Sequence, residues 1–421
     1  MRVPGFSVCQ SILLLIIGVL LLGVSTPVLA SSPDNLLHQP RIDDRMDPLT
    51  AEQRELKEAA LQASITGMAI GETHAVAKGQ YVELERRGED PVWTVLGEFG
   101  DFPHNNIAEP DRSVDNSTIW APDFSRDYFV GLLFAEGEDV NSMRQYYIEQ
   151  SSNRYAVYGD VTDWALAPND ACTYDDDLGG PAVWQFLIDT TEDWYNQQIG
   201  AGKTPAEIDE YLSQFDVWDR YDWDGDGNFN EPDGYIDHMN FVHAGEGNEA
   251  GGGALGDCAI WSHSWFAYFN LIGVAGPSPD FLIGGIQIGG SSYWLNKYVI
   301  NPENGGVGVF AHEYAHDLGL PDLYDYTGEN STGFWTMMSS GSWLSQTDQD
   351  IGSQPGHFGV WEKFQLGWLN YEVAYAGEKS EHKLGPAETN TKQAQGLFVV
   401  LPDKAVPDHI ADAYSGSYFY Y

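Results

Sequence analysis

Positive charge is the scarcest ingredient of this 421-residue sequence: 20 Lys and Arg stand against 63 Asp and Glu, for a formal net charge of −43. Such a surface repels polyanions, which excludes sequence-independent nucleic-acid binding and docking on anionic membranes, and it suits a protein that binds cations. Cysteine is nearly absent, with three residues in all, so no dense disulfide framework carries the fold. Long apolar runs are missing after residue 30, and the one before it, residues 12–24, falls short of the roughly 20 residues that cross a bilayer. What the chain does have is 43% hydrophobic and 13% aromatic residues. That is ample for a packed core and excludes wholesale disorder.

The apolar run comes after Arg2 and ends in Pro27-Val28-Leu29-Ala30 before Ser31-Ser32, the layout of an export signal with a small-residue cleavage site. Residues 1–30 are therefore expected to be a signal peptide, the rest to be secreted and extracellular, with no stable membrane insertion once the signal is gone. Export removes Cys9 and leaves Cys172 and Cys258 in an oxidising compartment, which predicts a disulfide between them.

Residues 49–63 are rich in strong helix formers, with Thr50 as the expected N-cap, and the next segment runs out in the charged stretch 83–90. A helical pre-segment ending in exposed charge and Gly has the layout of a propeptide, here residues 31–90, expected to block the cleft of the domain behind it. From Pro91 the texture is that of an α/β domain, with strands at 92–99 and 155–158 and helices at 140–149, 181–198, 307–318 and 359–368. A Gly-interrupted strand at 281–288 is placed to pair with substrate backbone. After about Lys379 come short β segments, at 396–401 and 418–421. The expected organisation is a catalytic domain over 91–375 and, over 376–421, the start of a C-terminal β-rich domain that the chain cuts short.

His312-Glu313-Tyr314-Ala315-His316 is HExxH. On a helix, positions four apart lie about 40° apart in rotation, so both imidazoles leave one face and can hold one Zn²⁺. Glu313 sits one step around, within reach of a metal-bound water without being a ligand itself. The run continues as HExxHxxGxxD through Gly319 and Asp322. Gly319 can take the left-handed conformation that ends a helix, Pro321 discourages its continuation, and Asp322 then arrives near the metal as third ligand; Asp325, in the same turn, is the alternative. Three protein ligands and an open position make a catalytic rather than a structural zinc site. The competing layout, with a Glu from a second helix, fits poorly, because no Glu occurs between Glu329 and Glu362. Met338 lies 22 residues after His316, the place of the Met-turn beneath the zinc helix in metzincins.

A second constellation spans residues 222–233. Asp222, Asp224 and Asp226 occupy loop positions 1, 3 and 5, Gly227 position 6, with Asn228 beyond and Asp233 at 12 in place of the usual Glu. This predicts a structural Ca²⁺ site of modified geometry. His238, His243 and His263 flank a Gly-rich stretch holding Glu246 and Glu249; core packing is the simpler reading of each histidine, and lining the cleft or binding another ion the alternative.

Residues 309–322, 333–343 (GFWTMMSSGSW), 221–237, 243–253 and 366–369 together resemble the immune inhibitor A peptidases, secreted bacterial metalloproteases of the metzincin kind. The resemblance implies a metzincin-like fold: a twisted mixed sheet, an active-site helix and a Met-turn. It also implies a latent precursor with bound calcium acting on proteins or peptides outside the cell. The expected function is secreted zinc endopeptidase, cleaving peptide bonds by Glu313-assisted attack of a zinc-bound water. The alternative is a calcium-dependent extracellular binding or adhesion module whose zinc is not catalytic.

Overall fold

The computed structural model describes residues 46–401 and 419–420, apart from 66, 68–70, 138, 176–179, 325–331, 388 and 390. The export signal and Asp325 lie outside the described residues.

The chain enters through helix α1 (Pro48–Ile65) and a small hairpin, β1 (Thr73–Ala77) with β2 (Gln80–Glu83). Asp47, not Thr50, caps α1: its carboxylate accepts the N–H groups of Leu49 and Thr50 at 2.8 and 3.0 Å, ahead of Pro48 at the first helical position. A Pro there loses nothing, because its missing N–H has no intrahelical partner anyway.

Strand β3 (Gly88–Phe99) is the spine of the molecule. Its alternating side chains feed two separate cores, Trp93, Val95 and Phe99 on one face and Val92 and Leu96 on the other, all 1% exposed or less. A strand buried on both faces reads as a continuous apolar run, as this one does. β4 (Tyr155–Val161) and then β5 (Ala165–Ala167) pair with it on one side; β6 (His238–His243) pairs on the other, all parallel. β10 (Lys297–Pro302) adds in parallel to β6, and β7 (His263–Phe266) closes that edge antiparallel to β10. The result is a mixed sheet in the order β4-β3-β6-β10-β7. Residues 88–90 pair with 155–157, so the expected break after Asp90 falls three residues inside β3.

Helices cover both faces. α4 (Pro181–Gly200) supplies Phe186, Leu187 and Trp194 to the first core, and α5 (Pro205–Leu212), held by a Thr204–Glu207 capping box, supplies Ile208 and Leu212. The opposite face is covered by α2 (Arg126–Phe134), α3 (Met143–Gln150) and α6 (Val307–Asp317), which pack Phe129, Tyr147, Phe310 and Tyr314 together. Ser142 caps α3 through the N–H of Gln145, so that helix begins after the expected residue 140.

The expected strand at 281–288 is reduced to β8 (Ile286–Gln287), which pairs with β9 (Trp294–Leu295) and not with the main sheet. Gly284 and Gly285, at φ 89° and 93°, break the extended chain just before it. The last strand of the main sheet on that side is β7, and all four of its residues are buried. After α7 (Val360–Gln365), β11 (Tyr371–Tyr375) runs parallel to β12 (Gly396–Val400), which pairs antiparallel with β13 (Phe419–Tyr420). The first and last described parts share a core: Leu61, Ile65 and Val82 pack with Phe364, Leu369 and Phe398. Cys172 and Cys258 are disulfide-bonded, joining two short helical turns 86 positions apart. No helix among the described residues is long and apolar enough to cross a membrane.

Candidate metal centre

α6 runs through the motif as expected and is buried along nearly its whole length. It has no room to shift. Gly308 touches the Met338 loop so closely that a Cβ would lie 1.9 Å from the Ser342 carbonyl oxygen. The helix ends at Asp317, and Gly319 turns the chain at φ 98°, the left-handed conformation the sequence calls for there.

The turn delivers Asp322 to the histidines. His312 Nε2 and His316 Nε2 are 3.1 Å apart, and Asp322 Oδ1 lies 3.3 and 3.4 Å from them, all three side chains buried. Ligands about 2.0–2.1 Å from one tetrahedral ion are separated by about 3.3 Å, so this triangle matches one face of a zinc coordination sphere. The other ring nitrogens are already committed. His312 Nδ1 lies 2.9 Å from the Met337 carbonyl oxygen and His316 Nδ1 2.7 Å from that of Leu320. Each Nδ1–H donates to its carbonyl and the unprotonated Nε2 faces the shared point, the tautomer a metal ligand needs. The donor set fits zinc.

Met337 is the residue sequence reasoning passed over: the expected Met338 is fully buried beneath α6, yet its neighbour orients His312. Met338 acts through its backbone, its carbonyl accepting the N–H of Leu323 beside Asp322 at 2.8 Å. Only the doublet of methionines hinted at a shared task. Glu313 is 2% exposed and borders a cavity of about 30 Å³ with His312, Glu249, Trp261, Ser339 and Tyr324. That volume admits about one water molecule.

Behind α6, a buried ionic brace fixes the motif. Asp317 accepts from Arg220 at 3.0 Å and faces His238 at 2.5 Å, while Lys297 donates to the His316 carbonyl at 2.9 Å. Cations here also complement the negative end of the helix dipole. Burial alone raises the Asp317 carboxyl, but the neighbouring Arg220 and His238 outweigh it and hold it well below the usual carboxylate range. His238 is therefore a buried structural residue. His243 is likewise in the core, with burial pushing it down to about 4, and His263 meets the Tyr298 hydroxyl at 2.9 Å.

In the acidic loop, the carboxylates of Asp222, Asp224 and Asp226 come within 4.8 Å of one another, and so do those of Asp219, Asp224 and Glu231. Asn228 donates to Glu231 at 2.5 Å. Asp233 joins a different set: it is buried, accepts the Tyr235 N–H and faces Asp216 and Asp219. Asp219 and Glu231 were not singled out in the sequence, because neither occupies a ligand position of the regular loop pattern.

Residues 78–369 match the family model for the immune inhibitor A peptidase M6 catalytic domain. The chain belongs to this family. It is 37% identical over 364 residues to immune inhibitor A of Bacillus thuringiensis subsp. alesti, covering 79% of this chain and 49% of that protein. It is 34% identical over 313 residues to the pre-pro-metalloprotease PrtV of Vibrio cholerae serotype O1, covering 69% of this chain and 32% of that protein. The aligned stretch thus spans half or less of each relative's length.

Proposed function

We propose that this chain is a secreted zinc metalloendopeptidase of metzincin type, with His312, His316 and Asp322 as zinc ligands, Glu313 as catalytic base and Met338 in the Met-turn. The observation that carries the reading is the 3.1–3.4 Å triangle of ligand atoms beside a buried glutamate that belongs to none of its vertices. Zinc bound there supplies a Lewis acid that polarises the scissile carbonyl and makes water more acidic. Glu313 accepts the proton of the attacking water and passes it to the leaving amine. Met337 and Leu320 carbonyls hold the imidazoles in the required tautomer, and the Gly319 turn fixes Asp322. The reading as an adhesion module leaves the buried Glu313 without a task, since a structural metal needs ligands and no adjacent base.

Calcium is proposed as a second, structural cofactor at Asp222, Asp224 and Asp226, with Asp219 and Glu231 in reach of the same loop. Glu313→Gln tests the mechanism: the protein retains its zinc by elemental analysis while cleavage of a casein or peptide substrate falls about 10²–10⁴-fold. Full activity in that variant rejects Glu313 as the base.

A further inference from the structure

Glu362, on α7, is 2% exposed and stands outside the donor triangle, yet a series of hydrogen bonds leads from it to a metal ligand. Its Oε1 accepts the hydroxyl of Thr336, itself 4% exposed. An ionised carboxylate can only accept, so the single hydroxyl proton goes to Glu362 and the lone pairs of Thr336 Oγ1 are left for another donor. That donor is the N–H of Met338, at 3.1 Å. This N–H and the Met337 carbonyl belong to one peptide group, and the carbonyl accepts from His312 Nδ1 at 2.9 Å. The peptide is trans, so its N–H and C=O point in opposite directions. The series therefore runs straight through the turn, from carboxylate to hydroxyl to peptide to imidazole.

The surroundings hold both ends. The Glu362 carboxylate is folded back against Gly359, where a Cβ would lie 2.7 Å from its other oxygen. The segment before α7 also grips the turn directly. Met337 N–H donates to the His357 carbonyl at 3.2 Å, and Gly356 N–H to that of Gly341 at 2.8 Å. Hydrogen bonds in series polarise one another in a low-dielectric interior, so a carbonyl whose own peptide N–H is engaged is the stronger acceptor. A carboxylate bonded to a ligating imidazole fixes the ring and strengthens it as a ligand. Here the same negative charge reaches His312 through a hydroxyl and a peptide group.

We propose that Glu362 is a positioning residue for the metal centre, orienting His312 and strengthening it as a ligand through Thr336 and the peptide between Met337 and Met338. This rests on the zinc reading above. It gives the glutamate of the second helix a task at the centre without a place among the ligands.

Two measurements on the full chain test it: zinc affinity by competition with a chelator, and the visible absorption bands of the Co²⁺-substituted protein, which report ligand geometry. Thr336→Val keeps the shape and breaks the series; it is expected to weaken zinc binding about 10–100-fold and to shift the Co²⁺ bands. Thr336→Ser is expected to restore both. Glu362→Gln keeps an acceptor oxygen and loses the charge, and is expected to weaken zinc binding several-fold. A parent chain that binds no zinc removes the metal-centre reading and this proposal with it. Where the parent binds zinc, parent-like affinity and bands in folded Thr336→Val overturn the proposal alone. Should that variant not fold, the same result in Glu362→Gln does so.

Discussion

At the scale of single residues, side chain and backbone divide the work at the metal centre. Asp322 contributes a carboxylate, so Asp322→Ala is expected to lower zinc affinity by more than about 100-fold, beyond what loss of an outer partner costs. Met338 contributes a carbonyl and packing volume, so Met338→Leu is expected to cost less than about 1.5 kcal/mol and keep its zinc. Zinc content by elemental analysis, with thermal denaturation, separates the two. The carboxylates also divide into opposing groups. Burial pushes Asp216 up to about 6 and Asp219 up to about 7. Raised carboxyl groups favour the fold below their unfolded value near 4, and that benefit is lost as pH rises through 6–7. In Asp90 burial also raises the carboxyl, but hydrogen bonds from His238 and Arg86 win and hold it low, as similar partners do for Asp317. Depressed groups favour the fold above about pH 4, and their contribution is lost as acid protonates them. In EDTA, the melting temperature is therefore expected to peak near pH 5. Added calcium should lift the limb above pH 6 more than the acid limb; a flat profile from pH 5 to 8 without calcium contradicts this.

At the scale of elements, most of the secondary structure was legible because local physics dominates it. α6 is announced by its motif and ended by Gly319, and α4 by Pro181 and an apolar stripe. β3 is announced by its apolar run, although its start at Gly88 is hidden among charges that pair with neighbours distant in sequence. The failure at 281–288 has a local cause: consecutive glycines at positive φ interrupt an otherwise apolar stretch. The donor triangle was readable for a similar reason, since spacing along one helix and one turn sets it. Lys297, Arg220 and the Met337 carbonyl were not, because they reach α6 from elements whose register only the packed molecule defines. Close approach at Gly308 makes a sharp prediction. Gly308→Ala drives a methyl into the Ser342 carbonyl and is expected to destabilise the protein by about 1–3 kcal/mol, with zinc affinity reduced as the loop bearing Met337 is displaced. Chemical denaturation measures the first and metal titration the second.

At the scale of the whole molecule, the charge of −43 is a standing self-repulsion. Screening shortens its range to about 10 Å at 0.1 M salt, so the melting temperature is expected to rise between 20 and 300 mM sodium chloride in the metal-free protein. Calorimetry showing a fall would mean that the ionic brace behind α6, not repulsion, governs the salt response.

The path of β3 has a mechanical corollary. A chain severed ahead of Gly88 keeps every rung between that strand and its neighbour, whereas one severed after Asp90 forfeits the pairings to Tyr155, Ala156 and Val157. Either cut would strip Leu61, Ile65 and Val82 from Phe398. A cut that released the leading segment would therefore bare an apolar patch on Phe364, Leu369 and Phe398.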